Sequence, residues 1–308
     1  MNTQTGAVSP FEAHVTVPVV IPASRRFFWS LRREMWETRS LYLAPLAVAA
    51  LFLVAFLIAA IHPQGRMHLT ISLNDAQHQA HVADPYTVAA FLLMGTAFVV
   101  AVFYCLEALH GERSDRSILF WKSLPVSDLT TVLAKASIPI VILPLITFAV
   151  ALATQWLMLL LSSVVVLARG QSVAALWSQV PMWQIALMLF FHLLAIHGLW
   201  YAPFYAWFLL VSAWARRAPL IWAVLPPLVI GVMEKIAFNT SHFARMIGYR
   251  FGGNPEVVPF STGPMTIAAL TASDVVRFLT TPGLWTGLAL TAVFLAAAVR
   301  LRRYREPM

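Results

Sequence analysis

Few residues in this chain are spaced for chemistry, and several of those that are lie inside apolar stretches. His78 and His81, with Asp75 and Asp84 close by, carry donor types that suit a metal ion. A solvated loop explains the same residues better, and no metal ligand is assigned. His192 and His197 are about 140° apart around an α-helix turning 100° per residue. One ion cannot readily bridge them from that helix, so they read as packed or cavity-facing. Glu234 and Lys235 stand near the end of another apolar run. Buried polar groups are costly in lipid and mark function by default. The pair is therefore a candidate outer gate or dimer contact, against snorkelling or pairing with a loop charge such as Arg245. Gln155, His192 and His197 are further candidates on the same ground.

Several chemistries lack their residues. There is no His-Glu-x-x-His, no nucleophile–base pair at a usable spacing, no Gly-x-x-x-x-Gly-Lys-Ser/Thr and no Gly-x-Gly-x-x-Gly. No catalytic residue is assigned, and ATP-driven work requires a nucleotide bound by another chain. The run Trp200, Tyr201, Phe204, Tyr205, Trp207 and Phe208 around Pro203 suits a path for an amphipathic cargo. It suits equally aromatics that cover a lipid-facing or interhelical surface.

The elements that hold these residues follow from composition. Of 308 residues, 60% are hydrophobic and 11% charged, with a mean hydropathy of +0.76; soluble domains carry about 25% charged residues. The charge is confined to short stretches between long apolar ones, so lipid is the expected solvent. A net charge of +8 then points to anionic lipid rather than nucleic acid. The lone Cys105 excludes an intrachain disulfide, and residues 1–24 lack the basic and apolar regions of a signal peptide and read as a mobile cytoplasmic tail.

A bilayer core of about 30 Å takes about 20 apolar residues. Six runs qualify, at about 43–61, 86–106, 136–167, 184–214, 219–238 and 284–299. The third and fourth exceed one thickness and should tilt or protrude. Fifteen of the 21 Lys and Arg fall before the first run, between the second and third, between the fourth and fifth, or after the sixth. By the positive-inside rule both termini are cytoplasmic, the expected location being a bacterial inner membrane. The fold class is an all-α integral membrane protein, with one transmembrane domain over 25–299 and a basic tail at 300–308.

Two segments flank the runs on the basic side. From Ser24, a candidate cap, to Glu37, the residues Phe27, Phe28, Leu31 and Met35 fall on one helical stripe, with Arg26, Arg33 and Glu37 opposite. This basic helix, which also carries Arg25 and Arg32, suits the membrane interface, as an anchor or a moving part. The loop at 107–135 sets charges beside Ile118, Leu119, Phe120 and Trp121, and charge-rimmed apolar groups mark protein contacts; the alternative is a helix lying flat on lipid. Ser127 and Asp128 read as a helix start. On the other side, 239–283 is rich in Gly and Pro, and Val257 to Ala272 within it suits a re-entrant or interfacial piece.

Glu112-Arg113, then Ser117-Ile118-Leu119, Ser123-Leu124-Pro125-Val126-Ser127 and Val132-Leu133-Ala134-Lys135 resemble the signature loop of bacterial ABC type-2 permeases. Arg116-Ser117 stands where Gly-Thr is usual, a departure at the turn. The likeness covers about 25 residues, and the six-run layout, the helix before the first run and the long segment before the last extend it. It implies a type-2 ABC exporter-like permease that pairs with a second copy or a homologous permease. Two copies of a cytosolic ABC ATPase would dock on it, binding the ATP and Mg2+ that this chain does not. Coupling would fall to Glu112, Arg113, Asp115, Arg116, Ile118, Phe120, Trp121 and Lys122, with ATP-driven closure pushing this loop and the basic helix. Competing readings are a permease-like subunit in cofactor maturation or envelope coupling, and an intramembrane enzyme on lipid or peptide.

Overall fold

The computed structural model describes residues 22–61, 76–118, 120, 126–180, 182–252 and 272–304. Among them every regular element is a helix, and six helical stretches are long and apolar enough to cross a membrane. Most of the tail at 1–24, the end of the basic tail, Trp121, Lys122 and nearly all of the Val257–Ala272 piece lie outside the described residues.

A short helix, α1 (Ala23–Glu37), precedes the first long one, α2 (Ser40–Ile61). Ser24 does not cap α1; Pro22 occupies the cap position, with no side-chain acceptor. The next helix, α3 (Ala76–Ala108), begins well before Tyr86, so the backbone at His78 and His81 is helical rather than a loop. After α4 (His110–Ser114), α5 (Asp128–Ser137) starts at Ser127, whose hydroxyl accepts from the Thr130 N–H at 3.2 Å. It continues through a π-helical segment (Ile138–Ile142) into α6 (Leu143–Ala168). At about 1.5 Å per residue this third stretch far exceeds a bilayer core, and its surplus length projects at the basic end.

Helix α7 (Val173–Gln179), α8 (Met182–Phe191) and a π-helical segment (His192–Trp200) make the fourth stretch, Val173–Trp200, and α9 (Ala202–Trp214) follows as a shorter apolar helix, where the sequence reads a single run over 184–214. The two π segments cross: a Cβ on Gly198 would lie 2.5 Å from the Ile140 carbonyl oxygen, so only glycine allows this approach. Pro139, which lacks an N–H, sits in the first π segment, and wide turns of this kind arise where the normal ladder is interrupted. The largest apolar core gathers Cys105, Val132, Ile138, Leu143, Trp200 and Leu209 among others, from α3, α5, α6, α9 and both π segments.

Helix α10 (Pro219–Phe238) stands at the margin, with Ala223 its one buried residue. Asn239 then takes a left-handed conformation, φ 50°, and the chain turns into α11 (His242–Gly252). Beyond the next break, α12 (Ala272–Thr280) leads into α13 (Pro282–Tyr304), which packs along α9 and ends at the basic end.

Candidate functional site

At the basic end, four segments remote in sequence converge on buried charges. Glu34 of α1 is 4% exposed; one carboxylate oxygen accepts from Lys135 Nζ at 2.7 Å and the other from the Tyr104 hydroxyl at 2.9 Å. Lys135, on α5, also lies 3.2 Å from Glu112 of α4. The second oxygen of Glu112 accepts from Arg302 of α13, and Arg302 Nε donates to Asp128, at the start of α5, at 3.1 Å. Arg33 adds a looser contact, 3.7 Å from Glu112, and pairs with Glu37 at 2.7 Å. Glu34, Glu112 and Asp128 thus face Lys135, Arg302 and Arg33, each acid lying beside at least one cation.

The surroundings lock α4 in place. The Leu109 and His110 N–H groups donate to Ser212 Oγ at 3.0 and 2.8 Å. The Arg113 guanidinium donates to the carbonyls of Ala213 at 2.8 Å and Ala215 at 3.3 Å. These are end carbonyls of α9 that have no partner within the helix, and a cation there also suits its dipole.

This geometry divides the residues assigned to coupling. Glu112, Arg113 and Ile118 are buried within the chain and offer no outer surface, because the ion cluster, the end of α9 and the core claim them. Asp115, Arg116 and Phe120 are exposed, Phe120 at 60%. Arg116 has φ 60°, the left-handed conformation that glycine adopts without cost.

Helix α1 has two faces. Leu31 and Met35 pack on the core beside Glu34, as the stripe anticipates. Phe28, placed on that stripe, is exposed instead, with Trp29 and Trp36. The Arg32 guanidinium lies 5.2 and 4.8 Å from the Trp29 and Trp36 rings. Aromatic rings interleaved with arginine suit a membrane interface. Arg25 is exposed, and Arg26 and Phe27 are half-buried.

His192, His197, Gln155 and Glu234 each bond within the chain. His192 Nδ1 is 3.0 Å from the Met188 carbonyl and His197 Nε2 is 3.2 Å from that of Met94. Both are buried in the π segment, whose wider turn changes the angle expected for an α-helix, and each engages a different carbonyl. Gln155 is buried and donates to the Tyr86 carbonyl at 3.4 Å. Glu234 bonds to the turn that follows its helix and does not meet Arg245. Its carboxylate accepts from Thr240 Oγ1 at 2.7 Å and from the N–H groups of His242 and Phe243 at 2.7 and 2.8 Å. It caps α11 from the preceding helix. Lys235 is exposed, and Arg245 reaches His242.

Glu34, Lys135, Asp128 and Arg302 are members of the charge cluster that reading by spacing did not assign. One signal was available: Glu34 lies between Leu31 and Met35 on the apolar face of α1, where an acid needs a cation. No family model, curated protein or solved structure matches the chain.

Proposed function

We propose that this chain is the transmembrane permease subunit of an ABC exporter, moving its substrate out of the cytoplasm with a separate ATPase subunit supplying the energy. The observation that supports it most is the base of the loop after the second long helix. Asp115, Arg116 and Phe120 project from a segment whose root, Glu112 and Arg113, is tied by buried bonds to α9 and α13 and, through Lys135, to α1 and α5. A push on the exposed residues is therefore delivered to four helices at once, which is what a coupling element must do.

In this reading the basic end faces the cytoplasm and the exposed part of the loop fits a groove on the ATPase, Phe120 supplying apolar contact and Asp115 and Arg116 the register. A second permease, the same chain or a homologous one, completes the path. Affinity purification of the full chain from its native membrane is expected to bring an ATPase with it. The double variant Phe120→Asp, Trp121→Asp should fold normally and lose that partner, because the substitutions put charge into the apolar part of the loop, where Phe120 is 60% exposed. Copurification undiminished in the variant would sink the assignment.

A further inference from the structure

Away from the charge cluster, α9, α10, α11 and α13 enclose a cavity of about 490 Å³. Its walls are apolar and aromatic, with Phe204 and Trp207 on α9, Ile230 on α10, Met246 on α11 and Phe294 on α13. Among the described residues Arg250 is the only charged one lining it. The volume is in the range of small-molecule sites, about 300–1,000 Å³.

Among the described residues Arg250 is held by carbonyls and not by an acid. Its Nε donates to the Trp200 carbonyl at 3.0 Å and Nη1 to that of Gly283 at 2.5 Å, while the guanidinium carbon stands 4.2 Å from the Trp200 ring centre. Trp200 Nε1 returns a bond to the Arg250 carbonyl at 2.8 Å. Nη2 is buried against Gly287, where any Cβ would overlap it, and has no hydrogen-bond partner among the described residues. Among the described residues no carboxylate pairs with Arg250, in contrast to the charge cluster at the basic end.

Arg250, near the end of α11, reaches the Gly283 carbonyl in the first turn of α13, at the far end of the sixth long helix. Among the described residues it is a half-buried cation with no acid beside it. Such a charge is costly unless something anionic meets it. The first turn of α13, with Gly283 and Thr286 on the cavity wall, adds a positive dipole end.

We infer that this cavity binds an amphipathic anion, an apolar body among the aromatic and aliphatic walls with a carboxylate or phosphate-type head directed at Arg250. The site identifies the class of molecule and needs no ATPase to be occupied. It also gives Phe204 and Trp207 of the aromatic run a role that Trp200, Tyr201 and Tyr205, buried in the core, do not share.

The test is a binding titration on the full-length protein in neutral detergent with palmitate, methyl palmitate, phosphatidic acid and inorganic phosphate. Palmitate or phosphatidic acid should saturate one site, with methyl palmitate weaker by about tenfold or more through loss of charge-assisted bonds and inorganic phosphate silent. Binding of phosphatidic acid but not palmitate would assign a bilayer lipid; binding of palmitate would assign a free amphiphile; both support the site. Arg250→Gln should erase the preference for acid over ester. Ile230→Trp, which fills the cavity from α10 and leaves the Arg250 contacts alone, should abolish binding and remains decisive if Arg250→Gln does not fold. Equal binding of palmitate and its ester, failure of both acids to bind, or full binding by Ile230→Trp would each overturn the inference. Absence of a copurifying ATPase changes none of these outcomes, so the two readings fail separately.

Discussion

Lys135 shows how one side chain can hold several helices. Its ammonium is shared by Glu34 and Glu112, and it is 2% exposed. Replacing it with Met keeps most of the volume but leaves two carboxylates without their common cation. Breaking a buried pair in this way costs about 3–5 kcal/mol. Lys135→Met is therefore expected to lower the thermal unfolding midpoint of the purified protein by several degrees, and adding Glu34→Gln should recover part of the loss. A midpoint unchanged in the single variant would mean that the cluster is hydrated and contributes little.

At the scale of elements, the feature that most departs from simple membrane crossing is α11. Its N-terminal amides would be orphaned after the Asn239 turn, and Glu234 from α10 reaches over to satisfy two of them. In Glu234→Gln one of the two oxygens becomes an NH2 group, which cannot accept. Hydrogen exchange over His242–Gly252 should then rise several-fold while α13 is unaffected. Exchange identical to the parent would show that α11 is held by Arg250 and Phe251 at its other end alone. That end is well anchored: Tyr201 OH donates to the Phe251 carbonyl at 2.9 Å, and Phe251 stacks 4.5 Å from Phe204.

For the whole molecule, sidedness decides whether the coupling reading stands. The only native cysteine, Cys105, is fully buried, so single cysteines can be introduced as reporters. In intact cells a membrane-impermeant maleimide should label Gln171→Cys, between α6 and α7, and spare Ser114→Cys at the basic end until the membrane is opened. Labelling of Ser114→Cys from outside would reverse the orientation and remove the loop from any cytosolic ATPase.

The long apolar helices were legible because hydrophobic length is a local property: a stretch such as Ser40–Ile61 needs no partner to declare itself. The Ser127 start of α5 was legible for the same reason, the cap and its helix being neighbours in the chain. The charge cluster was not. Glu34, Glu112, Lys135 and Arg302 each read as a member of a basic flank, and only packing, across separations of up to 190 residues, turns them into one buried set. The same holds for Arg250, which counted among the charges of an aqueous outer segment until the fold set it against Trp200 and Gly283. Sequence alone determined which stretches avoid water; the tertiary structure decided which charges accompany them, because burial of an ion depends on a partner brought from elsewhere.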